Sequence, residues 1–106
     1  MGETTSKPFW GVELGNGVVQ YDDISFLPDD FDVRRGVDVL KEDMLQIALP
    51  DDVLIDVGWY PSFDEAGAFH VLAIKAQNWD APVAEVVTRE IPGVKEALRK
   101  LIANRV

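Results

Sequence analysis

The chain has 106 residues, no cysteine, and nineteen acidic against ten basic side chains, for a formal net charge of −9. That length predicts one domain (1–106) around one core, and the lack of cysteine excludes a disulfide framework and any thiolate metal or nucleophile site. Residues 1–65 hold fifteen acids and four bases while residues 66–106 hold four acids and six bases, so phosphate-neutralising contact with nucleic acid or anionic membrane is not expected.

Residues 1–7 are polar and predict a frayed start with no secretory h-region. No apolar run approaches the ~18 residues of a membrane span, and a cytoplasmic location is expected. Residues 9–14 alternate, with Trp10, Val12 and Leu14 on one side, and 18–21 resume the β pattern. The intervening Gly15-Asn16-Gly17 supplies positive φ, so the segment predicts a hairpin. Residues 22–38 lack a sustained period and predict a long loop with at most one short helical turn.

The centre of the chain is richest in β-branched and aromatic residues. Runs at 43–49, 53–60, 68–76 and 82–89, punctuated by Pro, Gly, Asp and Asn, predict a four-stranded antiparallel meander. A two-residue loop at Asp51-Asp52 sets Leu49 opposite Leu54 and Ile47 opposite Asp56. The 61–67 loop sets Trp59 opposite Phe69 and Gly58 opposite His70, and the 77–81 turn sets Leu72 opposite Val86. Alternation then groups Leu45, Ile47 and Leu49 with Leu54, Asp56, His70, Leu72, Ile74, Val86 and Thr88 on one face. Gln46, Val53, Ile55, Val57, Trp59, Phe69, Val71, Glu85 and Val87 take the other.

Pro92 suits a helix start, and Val94, Ala97, Leu98, Leu101 and Ile102 recur as one apolar stripe, with Glu96 and Lys100 paired on the outside. The predicted fold class is therefore α+β: the meander with one C-terminal helix on one face, plus the N-terminal β-hairpin. One helix covers one face only. The second face is either covered or extended by the hairpin, or left exposed for a partner.

Reactive groups are few. His70 is the one histidine, and the register places Asp56 diagonal to it, Thr88 opposite and Ser62 nearby. An Asp–His–Ser set is conceivable, but Ser62 sits in no nucleophile-elbow pattern, so a structural Asp–His pair is expected. The clusters Asp29-Asp30-Phe31-Asp32 and Asp51-Asp52 lack the calcium-loop spacing and read as solvated turns. No cofactor or metal is expected, and Gly15-Asn16-Gly17 is not a phosphate loop. Gly58 predicts a close approach by a ring or a neighbouring backbone.

The stretches Asp56-Val57-Gly58-Trp59-Tyr60-Pro61, Gly67-x-Phe69, Ile74-Lys75 and Asn78-Trp79-Asp80-x-Pro82, with the terminal helix, resemble small uncharacterised bacterial domains of the toxin–immunity type over residues 43–106. That resemblance implies a non-enzymatic role, blocking a basic toxin domain by tight binding. The acidic first half agrees, since it would attract and orient a basic protein, although solubility alone is the plainer account of the charge. The first reading is thus a non-catalytic binding protein of immunity or inhibitor type. Its partner-binding residues are Asp22, Asp23, Asp29, Asp30 and Asp32, with Trp59, Tyr60 and Trp79 as anchors. The alternatives are a small ligand-binding domain or enzyme using the Asp56/His70 region, and a homodimer that buries the second face.

Overall fold

A computed structural model describes residues 8–104; the expected frayed start at 1–7 lies outside them. Five strands, β1 (Val18–Asp22), β2 (Leu45–Leu49), β3 (Val53–Tyr60), β4 (Ala68–Lys75) and β5 (Ala84–Thr88), form one antiparallel sheet in sequence order. A short helix α1 (Val33–Gly36) and a 3-10 turn (Val37–Val39) interrupt the long β1–β2 connection, and the chain ends in α2 (Ile91–Asn104). The α+β class and the C-terminal helix stand; the sheet has five strands because the second arm of the expected hairpin joins it as edge strand β1.

The first arm is not a strand. Trp10 and Gly11 take positive φ (54° and 77°), and Phe9 and Val12 close that turn by exchanging hydrogen bonds of 2.9 and 2.8 Å. A type of turn that reverses the chain within four residues cannot alternate as a strand does.

Two registers differ from the expected ones. β2 and β3 pair Leu49 with Val53 and Ile47 with Ile55, and β4 and β5 pair Val71 with Val86 and Leu72 with Glu85. Only the β3–β4 register is as read, with Trp59 opposite Phe69 and Gly58 opposite His70. A shift of one residue exchanges the faces, so Leu45, Ile47 and Leu49 lie with Val53, Ile55, Val57, Trp59, Phe69, Val71 and Ala73. All ten are buried.

This face is the core. The stripe Ile91, Val94, Ala97, Leu98 and Leu101 of α2 packs there, and so do Val12, Ile24, Leu27 and Leu40 from the irregular N-terminal segments. Those segments are tied to the sheet side of α2: the Trp10 indole N–H donates to the Leu27 carbonyl at 3.0 Å, and Lys95 pairs with Asp29 at 2.6 Å while lying over the Trp10 ring. The expected Glu96–Lys100 pair is replaced by Glu96 with Arg99 at 3.7 Å.

The opposite face carries no helix or further layer among the described residues; only the 41–44 segment crosses it, at Gly58. The molecule measures 19 Å along its shortest axis, room for a sheet and one layer on it and not for a third.

Candidate functional site

The open face is built from the outward residues of five strands. Val18 and Tyr21 come from β1, Gln46 and Ala48 from β2, Leu54, Asp56, Gly58 and Tyr60 from β3, His70, Leu72 and Ile74 from β4, and Glu85 and Val87 from β5. No lysine or arginine occupies any of these positions. Val18, Tyr21 and Val87 are exposed, and at one end Ala48, Leu54, Ile74, Gln77 and Trp79 line a hollow of about 330 Å³.

The other end is polar. Asp56 is 4% exposed, the single buried charged residue among those described. Its Oδ1 accepts from Gln46 Nε2 at 3.1 Å, because the true register sets these two opposite each other. Burial raises the Asp56 pKa above the ordinary carboxylate value, the Gln46 bond opposes that, and the nearby Asp43 adds to it. The Tyr60 phenol is raised as well, by burial first and then by Asp56, Glu42 and Asp43. Three carboxyl groups and a phenol therefore share one corner. Lys41 borders it with its pKa raised by bonds to Asp23 and then Tyr21.

His70 does not join Asp56. Its Nδ1 lies 3.0 Å from Glu85 Oε2, and its ring meets Tyr60 edge-to-face at 5.2 Å. Thr88 is opposite Phe69, on the core-face register, and its hydroxyl accepts from the Glu90 N–H. The expected Asp–His pair with Thr88 facing it is thus replaced by Asp56–Gln46 and His70–Glu85. The one-residue shifts bring Gln46 and Glu85 onto this face, opposite to the one that alternation predicts for them. Among the described residues no three His, Asp or Glu side chains converge as a metal-holding group.

The residues expected to bind a partner are divided. Asp22 caps the Ile24 and Ser25 amides at 3.0 Å; burial raises its pKa, but these bonds and the Ser25 hydroxyl outweigh it and the net shift is downward. Asp23 pairs with Lys41, Asp29 with Lys95, and Asp32 caps α1 through the Arg34 amide. Asp30 is exposed and forms no ion pair among the described residues. Asp29 thus lies on the α2 side of the sheet, away from Tyr60 and Trp79. Trp59 is 0% exposed, packed edge-on against Phe69 at 4.8 Å, so it offers no surface to a partner. Trp79, 48% exposed, and the half-buried Tyr60 stand at opposite ends of the open face.

The fold and this face define a two-layer α+β chain with an acid-bearing sheet surface that no helix covers among the described residues. Comparison with protein-family models, curated proteins and solved structures found no match for the chain. No helix among the described residues is long and apolar enough to cross a membrane.

Asp56 gives a direct test of this geometry. The folded chain holds the Asp56 proton more tightly than the unfolded chain, so stability falls as pH rises from the unfolded carboxyl value through the folded one. Asp56→Asn keeps the Oδ1 acceptor for Gln46 and removes the buried charge. It is expected to raise the thermal midpoint at pH 7, and the two midpoints should converge near ~pH 3, where the carboxyl is neutral in both states. A lower midpoint at pH 7 would contradict the assignment.

Proposed function

We propose that the protein is a non-catalytic binding protein of immunity or inhibitor type that docks an acid-bearing surface on a basic protein partner. The observation that carries this reading is the one-sided sheet. Its open face combines a hollow of mixed lining, with Leu54, Ile74 and Trp79 beside Gln20, Asp52 and Gln77, with further carboxylates, and has no cation at any outward strand position, whereas Lys95, Arg99 and Lys100 all lie on α2. An exposed apolar surface edged by polar groups is the anatomy of an interface. Carboxylates around it accelerate and orient the approach of a cationic surface. The same charge disfavours a second copy of this chain as the occupant, since two such faces would bring Asp56, Glu85 and their neighbours together.

Affinity in this reading comes from the open face, and the acids of the 22–32 loop act on encounter. Capture from native lysate is expected to return a basic protein. Leu54→Lys should then abolish binding by placing a charge in the hollow, while joint Asp29→Asn, Asp30→Asn and Asp32→Asn replacement should slow association a few-fold and flatten its salt dependence. A captured partner whose binding is indifferent to both salt and Leu54→Lys would overturn the reading.

A further inference from the structure

The corner around Asp56 specifies more than a general liking for bases. Asp56 is nearly fully buried on the floor of the face, and among the described residues its hydrogen bonding is one-sided: Gln46 serves Oδ1, while Oδ2 has no protein donor and keeps its contact with solvent, since no buried side-chain oxygen is left without a partner. A buried carboxylate ordinarily gathers several donors. The charges felt in this corner are of the wrong sign to help it: Asp43 acts on Asp56, and Glu42, Asp43 and Asp56 act on the adjoining Tyr60 phenol. Lys41, at the border of the corner, is held by Asp23.

Apolar side chains border the carboxylate. Leu72 is its register partner on β4, and Leu54 lies two residues away along β3, opposite Ile74. At ~3.4 Å per strand residue, Asp56 stands about 7 Å from the hollow beside Trp79. An arginine suits this arrangement better than a lysine. Its alkyl stem can lie on Leu72 and Leu54 while its planar fork supplies two parallel donors to one carboxylate, and guanidinium is the more easily desolvated of the two cations.

Resting on the proposed docking of a basic partner, we propose that Asp56 is the anchor of this surface and receives an arginine of the partner, with an adjacent apolar side chain of that partner seated on Leu54, Ile74 and Trp79 in the hollow that Gln20, Asp52 and Gln77 rim. The open corner then gains the donors it lacks. A pair closed over in this way is desolvated and central, the kind of contact that governs dissociation, whereas the exposed loop acids govern approach.

The probes are the peptide acetyl-Leu-Arg-Leu-Arg-Leu-amide and its counterpart with citrulline, the uncharged isostere, in place of arginine. Each is titrated into the full chain and followed by amide chemical shifts. Saturable shifts are expected at Gln46, Leu54, Asp56, Leu72 and Ile74, with the arginine peptide about tenfold tighter than the citrulline one. Asp56→Asn should erase that preference. So should Leu72→Lys, which supplies a cation to Asp56 from within the chain, and circular dichroism would verify that both variants fold. Shifts on the open face with an arginine preference that survives both variants would overturn the anchor and leave docking on this face intact. Shifts confined to the 29–32 loop, or none from either peptide, would overturn both.

Discussion

Trp59→Ala is expected to remove about 3–5 kcal/mol of folding stability, a large share of the ~5–15 kcal/mol that typical domains possess. The ring is wholly buried and meets Phe69 edge-to-face, so truncation opens a large cavity between β3 and the covering layer. A second loss follows at the loop. The indole N–H donates to the Asp64 carbonyl at 2.8 Å, and Arg89 reaches the Gly67 carbonyl at 3.0 Å while its guanidinium sits 5.9 Å from the indole centre. Trp59 thereby holds the 61–67 loop and one end of β5 together. Trp59→Phe should separate the two contributions: it keeps most of the apolar volume and loses the donor, for about 1–2 kcal/mol. Urea unfolding of both variants checks this, with the alanine midpoint well below that of phenylalanine. Near-wild-type stability for Trp59→Ala would place the ring at the surface, where it was first expected to anchor a partner.

The elements were legible because each rests on local chemistry. Helix α2 shows its stripe of Val94, Ala97, Leu98 and Leu101, and the β3–β4 pairing follows from two long apolar runs around a loop stopped by Pro61 and Gly67. The other registers turned on details that local pattern does not display. A two-residue loop at Asp51-Asp52 would require residue 50 to donate its N–H across the closing pair, and Pro50 has none. Pairing therefore starts at Leu49–Val53. That constraint was present in the sequence and was enough to move Gln46 beside Asp56. The β4–β5 turn gave no such warning: Ala76 and Gln77 both adopt positive φ (55° and 59°), which neither residue type signals. Ile24, Leu27 and Leu40 follow no period, so their loop looked like surface although its apolar residues close the core. The hollow beside Trp79 depends on the corrected β2–β3 register, which sets Ala48 opposite Leu54.

Gly58→Ala tests the other end of the same face and is expected to cost about 3 kcal/mol. A methyl group built at Gly58 would stand 1.9 Å from the Glu42 carbonyl oxygen and 3.1 Å from the Tyr60 ring. The Glu42 obstacle is backbone, and it is pinned on both sides: the Trp59 N–H donates to the Lys41 carbonyl at 2.7 Å and the Met44 N–H to the Val57 carbonyl at 3.0 Å. Relief therefore requires the 41–44 segment to lift from β3, which breaks both bonds. It would also draw Glu42 and Asp43 away from Asp56 and Tyr60. Two readouts should move together, a fall in the urea midpoint and a fall of the Tyr60 pKa towards the ordinary phenol value in an ultraviolet titration, since burial and those carboxylates are what raise it. Lost stability with an unmoved phenol titration would show that the strain is absorbed in the core, and that the acid-bearing corner keeps its shape without Gly58. An unchanged midpoint would mean that no carbonyl crosses this glycine, and the corner proposed to receive an arginine would lose its wall.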